Sequence, residues 1–307
     1  MTTSESPTDT TTSGFFLPVL TDPVRRIGAR TFDFSRQVAV MAIINRTPDS
    51  FFDQGATFAL DAAVDAALRA AEDGADWIDI GGAKFAPGPE IPAAEELDRV
   101  LPVVEAVAAR SDVVISVDTF WPEVAAACIA AGASVVNDTT GIHHPELADV
   151  VAASDATLVI THSLAEPRKP HPKPHYDDIA GEIAGFLLDR VAFAIDHGVR
   201  PDRIIIDPGH DLNKNTVQTL ELTRRLTEIT SLGYPTLAAV SNKDFIGESL
   251  DAPKEERLEG SLAAATACIL LGARVVRMHN VRESIAAVRM TEAILGFRDP
   301  INPRHNL

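Results

Sequence analysis

The sequence predicts a single-domain α/β protein, a (β/α)8 barrel of the TIM type. Three observations predict it. Short apolar runs alternate eight times with longer, Ala-rich amphipathic segments between Val38 and Leu295, the pattern of parallel strands joined by crossover helices. Three helix-to-strand joints repeat one motif, Asp73-Gly-Ala-Asp76, Ala131-Gly-Ala-Ser134 and Leu271-Gly-Ala-Arg274. In each, Gly ends a helix in a left-handed cap and the next strand follows at once. The segments after the strands are polar and longer, and a barrel of this kind carries its chemistry at the C-terminal ends of its strands.

Val38 to Ile44 is the first strand, a continuous apolar run suited to burial on both faces. It gives way to Asn45-Arg46-Thr47-Pro48-Asp49-Ser50, where a proline and turn-forming side chains end it. A helix over 59–74 stops at Gly74; the strand 75–81, the loop 82–89 and a helix over 93–110 follow. The strand 113–117 ends at Asp118-Thr119, and the helix 121–132 carries Pro122 in its first turn. A strand over 134–137, a helix over 145–154 and a strand over 157–161 lead into a proline-rich loop over 165–176. The helix 177–198 precedes the strand 203–207, which ends in Asp207-Pro-Gly-His210. The helix 216–232, the strand 236–240 with Ser241-Asn-Lys243 after it, the helix 254–272, the strand 274–278 and the helix 282–295 complete the series. The barrel is expected over 36–298, with a partly disordered tail over 1–35 and a short tail over 299–307. A doubly wound sheet is the structural alternative, but no Gly-rich dinucleotide fingerprint follows a strand, and Gly81-Gly82 alone is weak.

A net charge of −17 argues against nucleic acid as a partner, since phosphate backbones need a basic face. No apolar run reaches the length of a membrane span, and the Ser/Thr-rich start lacks a signal-peptide pattern, so a cytoplasmic location is expected. Cys128 and Cys268 lie in Ala-rich helical patterns and read as core residues. His171 and His175 could form a metal pair, but no carboxylate is fixed beside them; His143-His144 reads as solvated.

The strand ends are Asn45, Asp79, Asp118, Asn137, Thr161-His162, Asp207, Ser241 with Lys243, and Arg277 with His279. Each has a plainer reading: Asp118 as a helix cap, Asp207 as a turn former, Asn137-Asp138 as loop solvation, Lys243 as a surface cation. Their convergence on one face favours a site. Asp118, Asn137 and Asp207 offer acceptors and an amide to a ring bearing several N–H groups, and Lys243 offers a donor to a ring carbonyl. Arg277 and His279, two apart on a strand, point the same way and with Asn45 suit an anionic group.

Asn45-Arg-Thr-Pro-Asp-Ser-Phe51, Asp79-Ile-Gly-Gly82, Val117-Asp-Thr119, Val136-Asn-Asp138, Asp207-Pro-Gly209, Ser241-Asn-Lys243, Gly260-Ser-Leu-Ala263 and Arg277-Met-His279 resemble, in order, the signature segments of dihydropteroate synthase. The resemblance runs from about Val38 to Phe297. It implies a (β/α)8 barrel, usually a homodimer, that joins para-aminobenzoate to 6-hydroxymethyl-7,8-dihydropterin pyrophosphate with Mg²⁺ assistance. By position it implies that Asp118, Asn137, Asp207 and Lys243 hold the pterin. It implies that Asn45, Arg277 and His279 hold the pyrophosphate, Asn45 through the metal, and that Asp49 serves the first catalytic loop.

The departures fall in the loops. The family's Gly-Gly-Glu-Ser-Thr-Arg-Pro-Gly is here Gly81-Gly-Ala-Lys-Phe-Ala-Pro-Gly88, so Phe85 and Ala86 stand for Thr-Arg. Its Ser-Arg-Lys-Ser is Ser241-Asn-Lys-Asp244: Asn242 removes a cation, and Asp244 is expected to set a negative charge against the aminobenzoate carboxylate. The Gly-Phe pair after Asp-Pro-Gly-X is Asp211-Leu212, and an arginine, Arg46, follows Asn45. Arg46 and Lys84 are the candidate compensating cations. The main expectation is a dihydropteroate synthase-type transferase. The alternative is a pterin-binding paralogue with weak, absent or different transferase activity. A pterin-binding methyltransferase domain is a third reading, disfavoured by the lack of a corrinoid or zinc module.

Overall fold

A computed structural model describes residues 14–45, 55–83, 88–169 and 173–305, of residues 55–59 the backbone alone. Arg46, Asp49, Lys84, Phe85, Ala86 and His171 lie outside the described residues. The chain opens with an antiparallel hairpin, β1 (Val24–Ile27) and β2 (Arg30–Asp33). Eight parallel strands follow: β3 (Ala39–Asn45), β4 (Trp77–Gly81), β5 (Val114–Asp118), β6 (Val135–Asp138), β7 (Thr157–Thr161), β8 (Ile204–Asp207), β9 (Leu237–Ala238) and β10 (Val275–Met278). They lie side by side in the order β8-β7-β6-β5-β4-β3-β10-β9. A parallel bridge between Ile206 and Thr236, with the Ile206 amide donating to the Pro235 carbonyl at 3.1 Å, joins the two ends and closes the barrel. The single-domain (β/α)8 expectation is met.

Helices wrap the barrel: α1 (Gly55–Glu72), α2 (Ala93–Ala108), α3 (Pro122–Ala130), α4 (Glu146–Ala152), α5 (Ile179–Asp196), α6 (Thr216–Arg224), α7 (Leu226–Thr230), α8 (Asp244–Leu250), α9 (Leu258–Leu270) and α10 (Val281–Ile294). The Gly joints behave as the motif implies. Gly74, Gly132 and Gly272 have φ near 100°, and the residue after each donates five back, as in Ala133 to Cys128 at 2.9 Å. Among the described residues no helix is long and apolar enough to cross a membrane.

Three features escape the sequence pattern. The stretch read as a tail holds the β1–β2 hairpin. The helix expected over 216–232 divides at Arg225, whose guanidinium meets Asp178 and Glu228. A short helix, α8, starts directly after Lys243 and ends at Asp251 in the left-handed region.

Outward strand residues such as Val40, Ile78, Ile115 and Ile206 form the main core against the helices. Inward residues stack in layers, four side chains from alternate strands in each. Following the strand registers around the barrel, Trp77, Val135, Ile205 and Val275 make one layer and Met41, Ser116, Val159 and Leu237 the next. The layer above is Asp79, Asn137, Asp207 and Arg277, so the interior turns from apolar to polar halfway up. Below, the hairpin closes the N-terminal end. Ile27, Phe32 and Phe34 pack into the apolar layers, Phe32 with its ring edge-on to Trp77 at 5.7 Å. Buried Arg25 ties the hairpin down by donating to the carbonyls of Ile204 at 2.5 Å and Asp22 at 3.0 Å.

Candidate functional site

The polar layer forms the floor of the barrel's open mouth, and Arg277 organises it. Its Nε donates to Asp79 Oδ2 at 2.6 Å and an Nη to Asp118 Oδ2 at 3.1 Å. Asp79 is fully buried and also accepts from Ser116 Oγ at 2.6 Å and Asn137 Nδ2 at 3.1 Å. Burial works against the Arg277 charge, but Asp79 and Asp118 outweigh it and hold the guanidinium pKa above its ordinary value. Asp79 therefore carries the architecture of the site, a role its place among the strand ends did not disclose. A charged residue at an inward position of an otherwise apolar strand was the available signal.

Two buried polar atoms face the mouth without a partner among the described residues, Asn137 Oδ1 and Thr161 Oγ1. Asn137 lies opposite Asp118 in the β5–β6 register, and Thr161 opposite Asp207 in the β7–β8 register. Buried polar groups are ordinarily bonded, so these atoms are ones that water or a ligand completes. Asp207 spends one oxygen on the Gly209 amide, at 2.7 Å, which sets the turn. Burial pushes its carboxyl up to about 6. Burial, opposed by Arg277 and reinforced by Asp79, pushes Asp118 up to about 7. Asp118 caps no helix: the cap of α3 is Trp121, without a side-chain bond. The loop-solvation reading also fails for Asp138, which is fully buried and accepts from Thr140 N at 3.0 Å and Thr140 Oγ1 at 2.5 Å.

Lys243 stands at the N-cap of α8, where burial lowers its pKa and Asp211 and Asp207 oppose that. Its side chain is half-buried rather than fully exposed at the surface. Asp211 and Asn213 both adopt positive φ, 62° and 52°, a conformation that favours glycine. Side-chain bonds hold both: Asp211 Oδ2 accepts from the Phe245 amide at 3.2 Å, and Asn213 Oδ1 accepts from Leu164 N at 2.8 Å and Ser163 Oγ at 2.9 Å. Asp211 thus brings an additional carboxylate to the Lys243 side of the mouth. Beneath it, buried Lys214 donates to the Gly209 and Leu212 carbonyls, both at 2.9 Å, and lies 3.0 Å from His162 Nδ1.

His279 sits at the rim. Its amide donates to Ser241 Oγ at 3.1 Å, and its Nδ1 lies 3.0 Å from the same oxygen. Desolvation of the ring and the nearby Arg277 charge hold His279 below the ordinary histidine value, although the side chain is exposed at the rim. Asn45 ends β3. Its Oδ1 and Asp118 Oδ2 both lie 3.7 Å from where a Gly81 Cβ would be.

The expectation for Asp244 is overturned. Its side chain is largely exposed and pairs with Arg257 at 3.0 Å, so its charge is neutralised outside the mouth. Arg257 also bonds the Asn242 and Lys243 carbonyls, fixing the turn into α8. His175 is a surface residue paired with Asp177. His144 is stacked on Trp121 at 4.8 Å, not simply solvated. Cys128 and Cys268 are buried, as expected.

Glu96, in the first turn of α2, is fully buried under Gly82, and among the described residues neither carboxylate oxygen has a hydrogen bond of full geometry. Burial pushes it from 4.5 up to about 7, against smaller opposing effects of Thr119 and Arg99. A carboxyl raised in the folded state contributes stability below its unfolded value, and this is lost as pH rises through the folded one. The gain in stability of Glu96→Gln over the parent chain is therefore expected to grow by about 3 kcal/mol between pH 4 and pH 8. Urea unfolding at both pH values checks this; a difference independent of pH contradicts it.

Residues 41–279 match the family model described as pterin binding enzyme. The chain is 41% identical over 267 residues to the inactive dihydropteroate synthase 2 of Mycobacterium tuberculosis, covering 85% of this chain and 84% of that protein. It is 36% identical to the dihydropteroate synthase of Escherichia coli, with coverages of 85% and 93%. The structure of Xanthomonas albilineans dihydropteroate synthase with 4-aminobenzoic acid superposes with a TM-score of 0.83 at 38% identity, covering 89% of this chain and 98% of that one. The same enzyme in complex with 7,8-dihydropteroate gives a TM-score of 0.80, at the same identity and coverages. A closed eight-stranded barrel with a buried carboxylate–guanidinium floor, the matched family model and these relatives agree: the chain belongs to the pterin-binding enzyme family.

Proposed function

We propose that this protein binds a reduced pterin on the polar layer and acts as a dihydropteroate synthase-type transferase, joining 6-hydroxymethyl-7,8-dihydropterin pyrophosphate to para-aminobenzoate. The observation that carries the reading is the pair of orphaned buried atoms, Asn137 Oδ1 and Thr161 Oγ1, set between Asp118 and Asp207. A flat ring with several N–H groups completes these acceptors, and Lys243 donates to its carbonyl. Arg277 holds Asp118 in place while its charge favours the departing pyrophosphate, beside which His279 offers a ring N–H. The aniline nitrogen then attacks the pterin methylene with its lone pair and sheds a proton as the carbon–oxygen bond to pyrophosphate breaks.

Mg²⁺ fits here as an ion brought with the substrate. It favours oxygen donors and retains waters and phosphate oxygens, and the Asn45 carbonyl beside Asp118 supplies hard oxygen at the pyrophosphate end. When bound, it would neutralise charge on the leaving group. Asp49 in the first loop, and Arg46 and Lys84 as compensating cations, belong to the same proposal. We further propose a cytoplasmic homodimer, with exposed Met290 and Ile294 of α10 as apolar surface for the contact. Light scattering in solution reads the oligomeric state.

A second reading, a pterin-binding paralogue without this transfer, is favoured by the substituted loops and by the 41% identity to a protein named inactive. Calorimetric titration with each substrate in the presence of Mg²⁺, and a pyrophosphate-release assay with both, separate the readings. Binding of the pterin pyrophosphate with release on adding para-aminobenzoate is the expected result. Pterin binding without release supports the paralogue, and no pterin binding overturns both.

A further inference from the structure

The turn between β8 and α6 carries two carboxylates, Asp207 and Asp211, and is tied down from within by Lys214. Lys214 is only 7% exposed. Its Nζ lies 2.9 Å from the Gly209 and Leu212 carbonyls and 3.0 Å from His162 Nδ1 on the neighbouring strand end. The Tyr176 ring centroid stands 6.0 Å from Nζ, and the Tyr176 hydroxyl donates to the Asn213 carbonyl at 3.0 Å. Asn215 closes the turn by capping α6, accepting from the Gln218 amide at 2.9 Å.

An ammonium donates and cannot accept. The three protons of Lys214 therefore go to neutral groups: two carbonyls and the imidazole of His162, which burial and the Lys214 charge hold down to about 2. No carboxylate oxygen is among these three acceptors. Holding two carbonyls needs only a neutral donor, whereas a buried charge is costly unless an opposite one answers it. Asp207 and Asp211 answer it at longer range. Burial lowers Lys214 to about 7, with Lys243 adding to that and the two carboxylates opposing it. Asp207 in turn is pushed by burial up to about 6, and the Gly209 amide, Lys243, Lys214 and Arg277 keep it from rising further. Buried His210, in the same turn, is lowered to about 3 by burial, Lys214 and Lys243, so it adds no charge at neutral pH. Lys214 thus keeps its proton over the range in which Asp207 ionises. Lys243 and Arg277 stand at the mouth, where a ligand competes for them. The donors of Lys214 are already spent inside the turn, so its charge stays with Asp207 whether the mouth is filled or not.

We propose that Lys214 is a positioning residue for the pterin: it touches no substrate atom, but it fixes the β8–α6 turn and sets a positive charge behind Asp207, so that an ionised carboxylate meets the N–H groups of the ring. The proposal rests on the pterin reading above and names the group that tunes its acceptor.

The test uses the full chain with labelled aspartate carboxyls, titrated by carbon NMR without ligand, the Asp207 resonance being assigned by its loss in Asp207→Asn. Lys214→Gln keeps donors for the carbonyls and removes the charge. It is expected to move the Asp207 midpoint from about 6 upward by about one pH unit or more, the size of effect that one nearby opposite charge has. Lys214→Arg keeps the charge and is expected to leave the midpoint near that of the parent. In calorimetric titration with 7,8-dihydropterin, affinity is expected to fall as pH drops through the Asp207 midpoint, because protonation removes the acceptor. That fall sets in at correspondingly higher pH in Lys214→Gln and where the parent shows it in Lys214→Arg. A lysine that only braces the turn would weaken Lys214→Gln by one factor at every pH and leave the Asp207 midpoint in place, and that result overturns the proposal. A parent Asp207 that ionises only above about 7, where Lys214 has lost its proton, overturns it without any Lys214 variant. Failure of the parent to bind 7,8-dihydropterin at any pH sinks the pterin reading and the proposal together, whereas binding with an unmoved profile in Lys214→Gln sinks the proposal alone.

Discussion

Replacing Arg277 by methionine is expected to lower the unfolding free energy by about 3–5 kcal/mol and to abolish pterin binding. Arg277 is the partner of the fully buried Asp79 and of Asp118. Removing one member of a buried pair leaves a charge in the interior without compensation, which is where the destabilisation arises. The methionine fills similar volume, so little of the effect comes from a cavity. Chemical denaturation gives the stability, and calorimetry under native conditions the affinity. Adding Asp79→Leu is expected to restore part of the stability, because the orphaned carboxylate is gone, and none of the affinity, because Asn137 and Asp118 lose the bonds that orient them. Stability unchanged in the single variant would contradict the assignment of Arg277 as the organiser of the floor.

Phe32→Ala is expected to cost a similar amount, about 3–5 kcal/mol, by the opposite route. Phe32 closes the N-terminal end of the barrel, stacked on Phe34 at 5.8 Å and edge-on to Trp77. Truncation removes apolar contact and opens a void beneath a layer that cannot collapse, since closed strands fix its walls. Because the plug and the mouth lie at opposite ends of the strands, the folded fraction is expected to bind pterin as the parent does. Thermal unfolding followed by calorimetry on the folded protein distinguishes the outcomes; a loss of affinity at unchanged stability would show that the two ends are coupled.

Much of this architecture was legible because its periodicities are local. The inward parity of the strands and the Gly joints reveal themselves within a few residues, and so Asp118, Asn137, Asp207 and Arg277 could be placed on one face in advance. What was not legible depends on distant partners. Whether Asp244 enters the mouth or turns away is decided by Arg257, 13 residues on, which takes its carboxylate. That Asp79 rather than Asp118 is the centre of the charge network follows from the barrel closing on itself, which brings β10 round to share a layer with β4. The β1–β2 hairpin has four residues per strand with charges among them, too few for an alternating pattern, and its fold is specified by the open end of the barrel it fills.

The change from apolar to polar halfway up the barrel has a thermodynamic consequence. The lower layers store free energy in contacts already made, whereas the upper ones hold unmet acceptors and carboxyls far from their ordinary acidity. The polar layer thus lowers the stability of the chain relative to the apolar layers beneath it. Any molecule that completes Asn137, Thr161 and Asp207 offsets this, and by mass action the fold becomes firmer in proportion to how well the ligand fits. Heat resistance and recognition are therefore two readouts of the same layer, and the midpoint of unfolding serves as an assay for what the mouth was built to hold.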